Sequence, residues 1–248
     1  MEHASLRDDM VASLEHESLG LVRSDDLADA MRTVPRHEFV DVAPHRAYLD
    51  QSFEHRGTRV LAPGTAAVLL EALALEPDDS VLVVGAGVGY TVAVVAEVVG
   101  AHNVHAVDIS RSLVYDARDN LAGAGYGDAL VERADGADGL PRYAPFDRVL
   151  VEAAGVRAPR PLLGQLAPAG RLVMPVGHGP QTLTALGPDG ATVEEFGDVR
   201  FRPLLVEGEQ RDAVERNRTD REDRERAARA AESHAGWEQD WIDWDDRL

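Results

Sequence analysis

The chain contains no cysteine, which excludes disulfides, thiolate metal sites and a cysteine nucleophile. It also lacks lysine. All 25 basic residues are arginine, set against 44 Asp and Glu, for a formal net charge of −19. Such a surface repels nucleic-acid phosphates and anionic membranes, so no nucleic acid and no membrane is expected as a partner. It also repels itself unless salt screens it, and this composition is that expected of a protein adapted to a very salty cytoplasm. No apolar run is long enough to cross a bilayer. The opening Met1-Glu2-His3-Ala4 does not lead from a basic stretch into an apolar one, as a signal peptide would. A cytoplasmic location is expected. HExxH, P-loop and GxSxG motifs are missing. His45, His55 and His178 sit in loop-like stretches without metal-ligand spacing, so no metal site is expected.

What is present fits one α/β domain with extensions, or one domain plus a small second unit. Residues 5–19 read as a helix capped by Ser5, and 25–33 as a second capped by Ser24 and stopped by Pro35. The stretch 36–57 is mixed and loop-like, with Phe39, Tyr48 and Phe53 expected to pin it to the body, and 65–75 reads as a helix. From Ser80 the pattern becomes strand–helix alternation: strands at 81–84, 104–107, 129–133, 146–151 and 170–175, helices at 90–99, 110–123 and 161–166. That alternation predicts a doubly wound, mostly parallel sheet. Runs 181–186 and 191–196 flank the turn Gly187-Pro188-Asp189-Gly190 and predict an edge hairpin. A last strand is expected over 199–206. Beyond it, 207–248 forms a charged extension holding all three Trp residues, Trp237, Trp241 and Trp244, on one helical face. That face either docks on the body or contacts a partner.

The strongest chemical signal is Gly85-Ala86-Gly87-Val88-Gly89, between a predicted strand and a predicted helix. Glycine lets the backbone approach a ligand and take positive φ, and the helix N-terminus offers free N–H groups. Asp108 ends the next strand, where a carboxylate can accept both ribose hydroxyls, with Ile109 beside it. A dinucleotide fingerprint wants its third glycine three residues after the second. That position is Tyr90, whereas the third glycine is Gly89. The GxGxG spacing fits S-adenosylmethionine better than a nicotinamide dinucleotide. Asp135-Gly136, after the third strand, is a second candidate contact, either to the adenine amino group or as a plain turn.

These residues resemble the protein-L-isoaspartate O-methyltransferases over roughly 7–206. AMRTVPRHEFV (30–40) is similar to the family's AM-x-x-VPRH-x-FV. VLVVGAGVGY (81–90) resembles its VLE-hydrophobic-GTGSGY. ADGADGLPRYAPFDRVLVEAA (134–154) resembles its GDG…GLPE-x-APFD-hydrophobic-VTAA. PLLGQLAPAGRLVMPVG (161–177) and VRFRPL (199–204) are close to its later blocks. The resemblance implies a Rossmann-like class I methyltransferase fold with S-adenosylmethionine as cofactor. It implies a protein or peptide partner bearing isoaspartyl residues, whose side carboxylate receives the methyl group. The ester then closes to a succinimide that can reopen as normal aspartate.

Two departures from the family pattern stand out. Its substrate loop reads T-I-S-A-P-H-M, with the Ser hydroxyl near the reacting carboxylate. Here the stretch is Arg59-Val60-Leu61-Ala62-Pro63-Gly64-Thr65, so Leu61 takes the Ser position. Leucine donates no hydrogen bond, which leaves Arg59, Thr58 or Thr65 as candidates for recognising the carboxylate. The second is Val83, where the family has a Glu that helps hold the cofactor's methionine end. His37, in the VPRH segment, reads as a structural histidine bonding nearby backbone. Three functions stay compatible with the sequence: an isoaspartate methyltransferase with modified contacts, a methyltransferase for another carboxylate or small molecule, and a non-catalytic binding module on the same fold.

Overall fold

A computed structural model describes residues 2–16, 18–177 and 179–204. The charged extension, its three Trp residues and His178 lie outside them. The helix α1 spans Glu2–Glu15. It starts earlier than expected, so Ser5 lies inside it rather than capping it. Helix α2, Asp25–Thr33, is capped as expected: Ser24 accepts from the Leu27 N–H. A 3₁₀ turn at Arg36–Glu38 and the short α3, Pro44–Ala47, follow. The stretch expected to be a loop also holds β1, Phe53–His55, which pairs antiparallel with β2, Thr58–Val60. Its register was not visible in the sequence because only Phe53 and Val60 of its strand residues are apolar. Phe39 and Tyr48 are buried, as expected of pins.

The helix α4, Pro63–Leu73, uses Pro63 in its first turn. The nucleotide-binding half then runs β3 (Val81–Val84), α5 (Tyr90–Val99), β4 (Val104–Asp108), α6 (Arg111–Gly123), β5 (Leu130–Arg133), β6 (Phe146–Val151), α7 (Arg160–Leu163), β7 (Leu166–Val176), β8 (Gln181–Leu186) and β9 (Thr192–Val199). Seven strands form one sheet in the order β5-β4-β3-β6-β7-β8-β9. The pairings β5–β4, β4–β3, β3–β6 and β6–β7 are parallel, and β8 and β9 close the edge antiparallel.

Successive β3 side chains face opposite layers, as a pleated strand requires. Val81 and Val83 join the core on the face of α4 and α5, while Leu82 and Val84 join the opposite core with Phe146, Leu162 and Met174. All four are fully buried or nearly so, which is why this strand reads as an unbroken aliphatic run.

Of the strand expected over 199–206, residues 205 and 206 lie outside the described residues. Val199 ends β9, and the described residues 200–204 make a single bridge, Pro203 beside Ala154. Ala154 N–H donates to the Arg202 carbonyl at 2.8 Å and Leu204 N–H to the Ala154 carbonyl at 2.7 Å. Pro203 brings no N–H, so pairing is limited to these flanking groups. The chain direction in the sheet reverses its winding between β3 and β6, and the crevice beyond their carboxyl ends is where such folds place a ligand.

Candidate active site

The glycine loop fills that crevice. Gly85, Gly87 and Gly89 have φ of +99°, +54° and +91°, a region that disfavours other residues. The loop is fastened mainly through its backbone. The Gly85 and Ala86 N–H groups both donate to the Val107 carbonyl, at 2.8 and 3.0 Å. Gly87 N–H donates to Asp108 Oδ2 at 3.0 Å, and Ser110 N–H to Asp108 Oδ1 at 2.8 Å. These loop N–H groups are therefore engaged within the protein. Asp108 is buried at the end of β4, and that burial pushes its carboxyl above the usual range, opposed by the two backbone N–H groups. A Cβ on Gly89 would stand 3.2 Å from Leu121 Cγ and 3.3 Å from the Ala117 carbonyl, so glycine here permits α6 to pack against the loop.

Ile109 is half-buried beside Asp108, and its carbonyl accepts from Arg133 Nε at 3.3 Å. Asp135 Oδ1 accepts from the Ala137 N–H at 2.9 Å, closing its own turn. At Gly136 a Cβ would stand 2.4 Å from Val84 Cγ1, so its lack of side chain lets this turn lie on β3.

Over the loop lies the β1–β2 hairpin with the segment that follows it. Thr58, Arg59, Val60 and Leu61 line one narrow cleft together with Ala86, Gly87 and Glu152. The structure thus brings two of the sequence's candidates, Thr58 and Arg59, and the substituted Leu61, against the glycine loop. Thr65 lies in the first turns of α4 and is not among the cleft-lining residues. Arg59 is half-exposed and pairs with Glu54 at 3.6 Å. Gly64 donates its N–H to Asp50 Oδ1 at 2.7 Å, and a Cβ there would stand 2.8 Å from Asp50 Oδ2. That carboxylate occupies the space a longer residue at position 64 would need.

Two site residues were missed by the sequence reading. Arg36 is fully buried. Its Nε donates to the Ala47 carbonyl at 2.9 Å, its Nη2 to the Leu61 carbonyl at 2.6 Å, and its guanidinium lies 4.6 Å from the Tyr90 ring centre. It couples the cleft's roof to the first residue of α5. The signal was the VPRH segment, whose histidine drew the attention instead. His37 is structural as expected, but its partner is the Tyr48 hydroxyl, 2.7 Å from Nδ1, rather than backbone.

The second is Glu152, one residue beyond β6, standing where the quoted family pattern has Thr. Its Oε1 is buried without a hydrogen-bond partner among the described residues. Burial raises its carboxyl to about 7, with the Thr91 side chain opposing by hydrogen bonding and Asp108 adding repulsion. Val83, at the family's Glu position, is fully buried core. Among the described residues no His, Asp and Glu cluster is placed to hold a metal ion, and no helix is long and apolar enough to cross a membrane.

The family model for protein-L-isoaspartate(D-aspartate) O-methyltransferase matches residues 5–209. A protein-L-isoaspartate O-methyltransferase of Roseiflexus sp. (strain RS-1) is 43% identical over 189 residues, covering 74% of this chain and 86% of that protein. That of Methanosarcina mazei is 37% identical over 210 residues, covering 82% and 85%. A structure assigned to the same enzyme from Plasmodium falciparum, in complex with S-adenosyl-L-homocysteine, superposes with a TM-score of 0.71 at 21% identity, covering 80% of this chain and 98% of that one. With a match that runs from α1 past β9 and a glycine loop, Asp108 and covering hairpin gathered at one crevice, the chain belongs to the protein-L-isoaspartate O-methyltransferase family.

Proposed function

We propose that this protein transfers a methyl group from S-adenosylmethionine to the side carboxylate of L-isoaspartyl residues in damaged proteins, a repair reaction. The observation that carries this reading, on a chain of this family, is the shared cleft. Thr58, Arg59 and Leu61 face the glycine loop across it, so a carboxylate admitted between them meets the cofactor site. The residues fit the cofactor. The positive-φ glycines form a cradle free of side chains, and Glu152 Oε1 is a buried polar atom without a partner among the described residues. When bound, S-adenosylmethionine supplies an electrophilic methyl group.

The protein's residues do the rest. Gly85, Ala86, Gly87 and Gly89 let the backbone close on the cofactor. Asp108 keeps lone pairs beyond those given to Gly87 and Ser110 and accepts the ribose hydroxyls. Ile109 lies along the same edge, with Asp135 and Gly136 at the adenine end. An isoaspartyl carboxylate is ionised at neutral pH, so the transfer requires alignment more than a general base. Arg59 and Thr58 replace the missing hydroxyl at Leu61 in holding it, and Thr65 is a lesser contributor because it stands away from the cleft.

The decisive experiment is transfer of labelled methyl to paired peptides that differ only in isoaspartyl or aspartyl linkage, in molar KCl. Turnover confined to the isoaspartyl peptide is expected. Turnover on neither, by a folded sample, would reject the repair role. The acidic, lysine-free surface supports a salty cytoplasm as the working environment, and the melting temperature is expected to climb with added KCl as self-repulsion is screened. In this reading 1–206 is the methyltransferase unit and 207–248 a charged, Trp-containing extension. Deleting 207–248 should leave turnover on short peptides intact.

A further inference from the structure

Glu152 has a position and a deficit that the reaction outlined above does not explain. β3 and β6 run parallel with Val84 opposite Val151. The next residues, Gly85 and Glu152, therefore leave the sheet side by side, and a Cβ on Gly85 would stand 3.3 Å from Glu152 Cβ. The carboxylate is thus delivered to the wall of the cleft beside the glycine loop. One oxygen has no hydrogen-bond partner among the described residues. A half-buried acid with one oxygen out of water is costly unless a cation joins it.

Among the described residues none is supplied directly. Arg59 lines the same cleft, but its guanidinium pairs with Glu54. The Arg36 guanidinium is held by the Ala47 and Leu61 carbonyls behind Tyr90. The other charged group acting on Glu152 is Asp108, which is of the same sign. A carboxylate on the cleft wall, with a second acid of the same sign acting on it, calls for a cationic ligand. The cofactor carries two cations. A carboxylate held on the sulfonium would stabilise a charge that disappears as the methyl group leaves, and so slow the transfer. The ammonium keeps its charge throughout.

We propose that Glu152 is the anchor for the α-ammonium of the cofactor's methionine end, placed on β6 in this chain because Val83 on β3 is apolar core. The carboxylate accepts hydrogen bonds from the ammonium, Thr91 on α5 holds it in orientation, and Asp108 takes the sugar at the other end of the loop. Because burial places this carboxyl near neutrality, the anchor is charged above that range and lost below it.

This inference rests on the cofactor assignment and not on the identity of the peptide. The test is calorimetric titration of the full chain with S-adenosylhomocysteine and with its analogue lacking only the amino group, for the parent, Glu152→Gln and Glu152→Asp. Glu152→Gln should weaken S-adenosylhomocysteine about 10- to 100-fold while leaving the deamino analogue as it is in the parent. Glu152→Asp should fall between. Parent affinity should rise from pH 6 to pH 8, whereas the Gln variant stays flat, which separates Glu152 from Asp108. Equal affinity of the parent and Glu152→Gln for S-adenosylhomocysteine would overturn the proposal. So would an equal loss for both ligands, which would mark a merely structural role. A parent that shows the expected discrimination yet does not methylate isoaspartyl peptide upholds the anchor and overturns the repair reading. A folded parent that binds no S-adenosylhomocysteine overturns both.

Discussion

The two walls of the cleft are held together by different means. The floor, Gly85–Gly89, is fixed largely by backbone hydrogen bonds to the adjacent strand end and by one strand-terminal carboxylate. The roof, from β1 to Leu61, is tied down by side chains arriving from far along the chain. Arg36 reaches the Leu61 carbonyl, and Asp50 accepts from the Gly64 N–H where the roof runs into α4. His55 and Arg56 meet Asp116 of α6 at 2.8 and 2.6 Å. Arg202 donates to the Gly57 carbonyl and lies 3.3 Å from Glu54. A floor made of backbone tolerates changes of side chain and not changes of φ. A roof made of side chains can be released one tie at a time, and it is the roof that carries Leu61 in place of the family Ser.

The largest effect is expected from cutting the tie that joins both walls. Arg36→Leu leaves the Ala47 and Leu61 carbonyls buried without donors and removes the cation from Tyr90. It should cost about 3 kcal/mol of stability, read from denaturant melts at fixed KCl. On the floor, Gly89→Ala should cost about 2 kcal/mol, combining a left-handed backbone with a clash against α6. Gly87→Ala meets nothing closer than its own loop carbonyl at 4.0 Å, and should cost about 1 kcal/mol. Near-equal losses for these two glycines would mean that packing against α6 is not what holds the floor.

Glu152 is the exception on the floor, a group that weakens the ligand-free protein. Its folded carboxyl titrates at about 7 against an ordinary 4.5. The folded state therefore binds the proton more tightly than the unfolded chain. Stability should fall as pH rises through this interval and level off above it. Glu152→Gln removes the slope and should be the more stable by about 1–2 kcal/mol at pH 8, allowing for partial solvent access. Identical pH profiles for the two proteins would show that the carboxyl is not desolvated as described.

The smallest global change belongs to the outer roof. Asp116→Ala should alter stability by less than about 1 kcal/mol, since its ion pairs are partly exposed. It should nevertheless raise KM for peptide while leaving S-adenosylhomocysteine affinity unchanged, and speed amide exchange over residues 53–60. A matching loss of cofactor affinity would mean that floor and roof are not separable.

The difference between the walls also explains what could be read in advance. β3, α5 and β6 fall where the apolar pattern put them, because each is a continuous run whose burial is decided locally. Asp108 was legible because a strand end followed by a helix fixes where its side chain goes. The β1–β2 hairpin was missed, as its three-residue strands carry too little pattern to distinguish from loop. Arg36 is one arginine among 25. Only its burial against two carbonyls, 11 and 25 residues away in sequence, gives it a role.

By itself, then, the sequence determined the parallel sheet, the glycine loop, the acid at its side and the family, all of which follow from residues close together in the chain. The tertiary structure alone decided which groups face one another across the cleft. It set Leu61 and Arg59 over Gly87, left Thr65 aside and turned Glu152 toward the loop. These are contacts between segments tens of residues apart, and no local propensity encodes them. They exist only once the sheet has set β6 beside β3 and the hairpin has closed over both.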